Sequence, residues 1–486
     1  MKLKKVLSVV LTTAMVFSLT ACGGSDGASS GGSTSGDSGA AESGTDAGTA
    51  SDAGAAQEAD GGSAASGDKL VVWTLAKDLE QFADHYMEQN SGVAIETVVI
   101  EPANYVTKVQ TALNGGQKEP DIIVGEPQML EDFYEAGYFE DLNQAPYNAQ
   151  DYADQIVDYV WDVGQDADGI QRAISYQITP AGIYYRRDIA QTVFGTDDPD
   201  EIGKLFADYP TILDTAQKLK DAGYRIFASD AEINYFSGDS AWVIDGVLNV
   251  DQGRKDYQDL CIALYQDDYT AYANQWSTPW YQAMAGEVPI LTADIQNYAD
   301  DSVDVWDAEG FAEATKDLDK TEVFAFGLPS WGVLTMRDNV QGTSGKWGVC
   351  SGPAYGFGGG TFIGISALSE KKELAWDFLK FCTLNEDTAN WWIEKSEGDT
   401  VSLIPVLEAH AEDKNEVYGG EQLYKFWLEQ AKGIDYSKVT RYDKFIGDEW
   451  GRATTAIKTG EMNKEEAWNN FYDQIEATYP EITVNR

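Results

Sequence analysis

From residue 69 onward the chain repeats one rhythm: a short continuous apolar run, then a longer stretch in which apolar residues recur every three or four positions. Residues 70–74 (Leu70, Val71, Val72, Trp73, Thr74) read as a buried strand, and Leu79, Phe82, Ala83, Tyr86 and Met87 after them fall on one helix face. A second strand is predicted over 93–100, and a helix through Tyr105, Val109 and Ala112 that stops before Gly115 and Gly116. A third strand is predicted over 121–125, and a helix over 129–136 with Gly137 placed to close it. Strands alternating with helices predict parallel βαβ units. The grammar recurs downstream in a strand at Ile183, Tyr184 and Tyr185, a proline-opened helix over 210–219 ended by Gly223, and a short strand over 288–291. Near the end, Asn463 and Glu466 form a capping box for a helix with Trp468, Phe471, Tyr472 and Ile475 on one face.

The first 68 residues follow different rules. Lys2, Lys4 and Lys5 precede an apolar run over 6–19, the length of a secretory core and too short to span a bilayer. Residues 1–21 therefore read as a signal peptide. The run ends in Leu19, Thr20, Ala21 and Cys22, which resembles the lipobox of bacterial lipoproteins and implies cleavage before Cys22 and lipidation of its sulfur. Residues 23–68 are Gly, Ser, Ala, Thr, Asp, Glu and one Gln. Such a stretch buries too little apolar surface to offset its ordering entropy, so 22–68 reads as a lipidated cysteine and tether with a span of roughly 35–40 Å.

Composition then narrows the function. The 486 residues carry 81 Asp+Glu against 34 Lys+Arg, a net charge of -47, which argues against nucleic-acid binding because phosphate neutralisation needs clustered cations. Eight of the acids lie in the tether and three of the lysines in the leader, so the excess sits mainly on the folded part, as surface charge. Two histidines and four cysteines, none at zinc-finger spacing, point to no metal and no cofactor. Asp162, Asp166 and Asp168 miss the spacing of a calcium loop. Cys261 and Cys382 sit in apolar helical patterns and read as buried thiols. Gly358, Gly359 and Gly360 lack the Lys-Ser or Lys-Thr of a phosphate loop and read as a close backbone approach at a hinge or ligand.

In open α/β sheets ligands bind at the carboxyl ends of the strands. That rule nominates Trp73, Lys77 and Asp78 after the first strand, and Glu126 and Gln128 after the third.

Several segments in order resemble family 1 extracellular solute-binding proteins (maltose-binding-protein-like). They are Pro120 to Val124 leading through Glu135-Ala136-Gly137-Tyr138-Phe139-Glu140-Asp141-Leu142, then Ile183 to Asp188, Tyr209 to Lys220 with Ala222-Gly223, Ala283 to Glu287, residues 356–365, Lys372 to Leu379, and residues 460–475. The resemblance implies an α/β, two-lobed periplasmic-binding-protein-like clamp of type II with the ligand cleft between lobes. It implies three crossings, near Ile178-Thr179, Tyr355-Gly356 and Leu403-Ile404, hence an N-terminal lobe of 69–178 and 356–403 and a C-terminal lobe of 179–355 and 404–486. It also implies a lipid-anchored, monomeric, non-enzymatic protein on the extracytoplasmic face of the membrane, handing a carbohydrate to the permease subunits of an ABC importer. The site residues carried over are Trp73, Glu126, Gln128, Gln177, Thr179, Asp239, Trp242, Asp294, Gln296, Trp331, Arg441, Tyr442 and Asp443. At Asp294 and Gln296 the chain departs from the tryptophan of maltose-binding proteins. Stacking rings and planar polar groups are what a pyranose needs, and 14 Trp and 26 Tyr supply the rings. Two other readings remain open: a clamp for a polyamine, peptide or other cation, favoured by the acidity, and a surface glycoside hydrolase, which needs a carboxylate pair no motif nominates.

Overall fold

The computed structural model describes residues 69–291 and 305–486. The leader, Cys22, the tether, Asp294 and Gln296 lie outside the described residues.

Two five-stranded sheets organise the protein. The first contains β1 (Lys69–Thr74), β2 (Ala94–Val99), β3 (Ile122–Gly125), β4 (Ala173–Ser175) and β12 (Phe362–Ile365), in the order β2-β1-β3-β12-β4. β1 pairs in parallel with β2 and β3, whereas β12 runs antiparallel to β3 and β4. The second sheet contains β5 (Ala181–Arg186), β6 (Arg225–Phe227), β9 (Glu287–Pro289), β10 (Lys320–Pro329) and β11 (Trp347–Cys350), in the order β11-β5-β10-β6 with β9 also on β10. A two-stranded hairpin, β7 (Val243–Ile244) and β8 (Val247–Leu248), stands apart. The fold is two-lobed α/β.

The helices of the first lobe form where the apolar periodicity placed them. α1 (Asp78–Gln89) buries Leu79, Phe82, Ala83 and Tyr86. α2 (Pro102–Asn114) opens on a proline, whose missing N–H costs nothing there, and ends at Gly115. α3 (Pro127–Glu135) also opens on a proline and is followed by Gly137 at φ +70°. Gly125, which ends β3, has no room for a side chain: a Cβ there would lie 2.6 Å from Leu130 Cδ2. In the final helix, Lys464–Thr478, the Asn463 side chain accepts from Glu466 N at 3.0 Å, and Phe471, Tyr472 and Ile475 are buried.

The longest strand, β10, had no counterpart in the sequence reading, though it is the centre of the second sheet. Its residues 323–329 are all buried, because the sheet is covered on both faces. On β5, Tyr185 packs with Phe324 in one core, while Tyr184 faces Tyr418 and Trp427 in another. Cys261, Cys350 and Cys382 are buried free thiols. Among the described residues no helix is long and apolar enough to cross a membrane, and no group of three or more His, Cys, Asp or Glu could hold a metal ion.

The chain passes from the first sheet to the second between Ser175 and Ala181, and returns between Cys350 and Phe362. The two passages lie side by side. Ala181 N donates to Gly356 O at 2.8 Å, and Gly358 N to Thr179 O at 3.1 Å. A third strand of chain joins them, with Ser402 N donating to Tyr176 O at 2.7 Å and Thr400 Oγ1 to Ile178 O at 2.6 Å.

One side chain opens the first sheet at its carboxyl edge. β1 and β3 pair at Val72 with Ile122 and at Trp73 with Ile123. Just beyond, the fully buried Tyr105 of α2 inserts its hydroxyl, donating to Trp73 O at 2.9 Å and accepting from Val124 N at 3.1 Å. Tyr105→Phe would strand two buried backbone groups, each at about 1–3 kcal/mol. Urea unfolding is expected to show a loss of about 2–4 kcal/mol with the m-value unchanged; a loss below 0.5 kcal/mol would refute the bridging role.

Candidate functional site

Where the strand ends of the two sheets meet, a cavity of about 30 Å³ lies at the crossings. The first lobe contributes Leu75 and Ala76 after β1, Glu126 after β3, Gln177 after β4 and Thr361 before β12; the second contributes Trp331, just after β10. Thr74 sets the turn after β1, accepting at Oγ1 from Ala76 N at 2.9 Å. A larger cavity of about 150 Å³, beside Ile393, Gly398, Asp413 and Tyr424, draws on no strand end and on neither of the first two passages. The smaller one is therefore the candidate site.

Its wall joins one aromatic ring with polar side chains. Trp331 is buried, stacks on Trp276 with ring centroids 5.8 Å apart, and donates from Nε1 to Gly358 O at 2.9 Å. Trp276 packs in turn on Trp280, whose Nε1 donates to both oxygens of the buried Glu232 at 3.0 and 3.2 Å. Gln177 Nε2 donates to Thr361 Oγ1 at 3.2 Å. Glu126 accepts from Gln128 Nε2, its one side-chain hydrogen-bond partner among the described residues. Gly358 passes so close to Tyr235 that a Cβ would sit 2.3 Å from the ring.

Of the residues nominated from sequence, Glu126, Gln177 and Trp331 line this cavity, and Gln128 and Thr179 support it. Thr179 lies in the crossing itself, its Oγ1 donating to Gly359 O at 3.2 Å. Others take different places. The Trp73 ring lies under the Lys108 ammonium of α2, 5.0 Å away. Lys77 is exposed, and Asp78 is buried, accepting from Tyr176 at 2.9 Å. Trp242 does not face the cavity: it is 7% exposed in a separate core with Trp450 and Phe471, and the Arg254 guanidinium covers it at 3.9 Å. Asp239 binds the backbone of the helix Gln252–Gln266, accepting from Gly253 N at 3.0 Å. Both serve the inside of the second lobe, since their partners lie within about 15 residues or in the last helices.

Arg441, Tyr442 and Asp443 stand outside the cavity, over α3. Arg441 N donates to Glu131 Oε2 at 2.6 Å and Arg441 Nη1 to Glu135 Oε2 at 2.5 Å. Tyr442 packs edge-on against Tyr479, and Asp443 accepts from Thr440 N and Oγ1. Leu75, Ala76, Thr361 and Trp276 escaped the sequence reading. Adjacency to a strand end could have found the first three; Trp276 has no such signal.

Burial dominates the electrostatics. It pushes the carboxyl of Glu126 up to about 7 and that of Glu232 to about 8, and Asp399, beside Asp78, to about 7. Such groups hold a proton more tightly when folded than when unfolded, so their contribution is full below about pH 4 and is lost as pH rises through 7 to 8. Calorimetry is accordingly expected to show a melting temperature that falls between pH 5.5 and 8.5. A rise across that window would contradict it.

The sequence model for bacterial extracellular solute-binding proteins matches residues 81–418. The chain belongs to that family. Solved structures of the same fold include a family 1 extracellular solute-binding protein, with 18% identity, TM-score 0.67, and 84% of this chain and 99% of that one covered. The sugar-binding protein MalE of Xanthomonas citri shares 15% identity at TM-score 0.62, covering 84% and 97%. The galacto-N-biose/lacto-N-biose I-binding protein of an ABC transporter from Bifidobacterium longum shares 13% at 0.63, covering 87% and 100%. No curated protein matches the chain. The family is one of binding proteins.

Proposed function

We propose that this protein captures a carbohydrate between its lobes and delivers it to an ABC importer, performing no chemistry on it. The observation that carries the reading is the cavity itself, whose lining joins Trp331, stacked on Trp276, with the carboxylate of Glu126 and the amide of Gln177. A pyranose needs that pairing of a C–H face with planar hydrogen-bonding groups. The names of the solved relatives, a sugar-binding protein and a lacto-N-biose-binding protein, support it. On this reading Glu126, Gln128, Gln177, Thr179 and Trp331 serve the ligand, while Trp73, Asp78, Asp239 and Trp242 are structural and Lys77 is a surface residue.

The lobes in this proposal are 69–178 with 356–403, and 179–355 with 404–486. A cavity of about 30 Å³ admits one or two waters, so a sugar enters only when the lobes part about the crossings and is enclosed when they close. In this proposal the protein is a monomer on the extracytoplasmic face of the membrane, anchored by a lipid on Cys22 and held off by its tether; the leader and the Leu19-Thr20-Ala21-Cys22 sequence support the anchor.

A thermal-shift screen over a glycan panel tests this. A ligand at about 100 times its Kd adds about 2.7 kcal/mol of stability. If polyamines or peptides shift the melting curve and no glycan does, the carbohydrate reading fails; release of products from an oligosaccharide would end the binding-only reading.

Arg441 touches α3 from the other lobe, so it favours closure. Its side chain and that of Glu135 are 30% and 59% exposed, which limits the pair to about 0.5 kcal/mol. Arg441→Ala is expected to raise the Kd of the best glycan about twofold at low salt and to leave it unchanged at 1 M salt, where the Debye length is about 3 Å. A salt-independent effect would show that Arg441 acts otherwise.

A further inference from the structure

Glu126 is the one charged residue lining the cavity. It is 9% exposed and forms no ion pair among the described residues. The titratable groups that act on it or respond to it are Tyr105 from α2, Tyr235 from the second lobe and Lys444 from the helix Asp443–Lys458. Lys444 itself is engaged by Asp448 at 3.0 Å. Of the other polar wall groups, Gln177 donates from Nε2 to Thr361 Oγ1 at 3.2 Å, and neither carries a charge. The cavity therefore combines a buried carboxyl without an ion pair among the described residues with a buried tryptophan, inside a protein of net charge -47. Desolvating a carboxylate is costly unless a cation comes with it, and a cation also gains from an indole face.

We propose that the preferred cargo is an amino sugar, its protonated amine against Glu126 and its ring on Trp331. This rests on the carbohydrate reading above and adds the charge of the ligand. A neutral hydroxyl can donate one hydrogen bond to Glu126 but leaves the buried charge uncompensated; an ammonium does both.

The test uses matched sets: glucosamine, N-acetylglucosamine and glucose, together with the corresponding galactose series and the β-linked disaccharides, titrated calorimetrically into the folded protein. At pH 7 the amine member is expected to bind at least tenfold tighter than its hydroxyl partner. That advantage should fall at least tenfold between pH 7 and pH 5, as the carboxyl of Glu126, held near 7, takes up a proton. In Glu126→Gln, checked for folding by its melting curve, the advantage should vanish. Neutral sugars that bind as tightly as amino sugars, or an advantage that survives in Glu126→Gln, would overturn the inference while leaving the carbohydrate reading intact. A panel on which no sugar binds would overturn both, and binding by spermidine alone would point to a cation clamp instead.

Discussion

Trp331→Ala is expected to erase ligand-induced stabilisation and to lower the unfolding free energy by about 3–5 kcal/mol. The ring is buried, stacked on Trp276 and hydrogen-bonded to the Gly358 carbonyl. Truncation removes the apolar face a sugar would rest on, opens a void beneath Trp276, and leaves that carbonyl without its indole partner. Trp331→Phe separates these effects, since it keeps a ring but no donor and should cost only about 1–3 kcal/mol while retaining part of the ligand response. Melting curves with and without the best glycan read both quantities. If Trp331→Ala folds and still shows the full ligand shift, the indole is not the platform and the site is elsewhere.

The second large effect lies in the other lobe. Lys458 Nζ meets Asp230 Oδ2 at 2.6 Å, with the two side chains 12% and 4% exposed. Two residues on, Glu232 is also buried, and the charge of Asp230 adds to the burial that raises its carboxyl to about 8. Lys458→Met would leave Asp230 buried without its cation, at a cost of about 3–5 kcal/mol near pH 7.5. The pair Asp230→Asn with Lys458→Met should recover most of the loss, and a double-mutant cycle measures the coupling. A single-variant cost below 1 kcal/mol would show that the pair does not hold the helix Asp443–Lys458 in place. The loop at Arg441 begins that helix, so the same experiment reports on what positions its contact with α3.

The first three strands and helices were readable because each is specified within a few residues. Prolines at 102 and 127, glycines at 115 and 137 and an apolar period of three to four suffice to place α1 to α3. β10 was missed although its run from Val323 to Leu328 is apolar, because its standing as a sheet centre depends on pairing with β5 about 140 residues earlier. Glu126 and Gln177 were reachable from the strand-end rule and from the family resemblance. Trp242 was misplaced for a general reason: an aromatic beside polar residues looks the same whether it stacks on a sugar or, as here, beneath Arg254.

By itself the sequence determined the α/β alternation, the excess of acid and the family, since propensity, periodicity and ordered motifs are properties of neighbouring residues. It could not decide which rings and carboxylates share a cavity. Gln177 meets Thr361 across 184 residues, and Arg441 meets Glu135 across 306. Such encounters are set by how two sheets and three passages pack together, so only the tertiary structure made Trp331 a wall of the candidate cavity, Trp242 a core residue and Glu126 a buried carboxyl without an ion pair among the described residues.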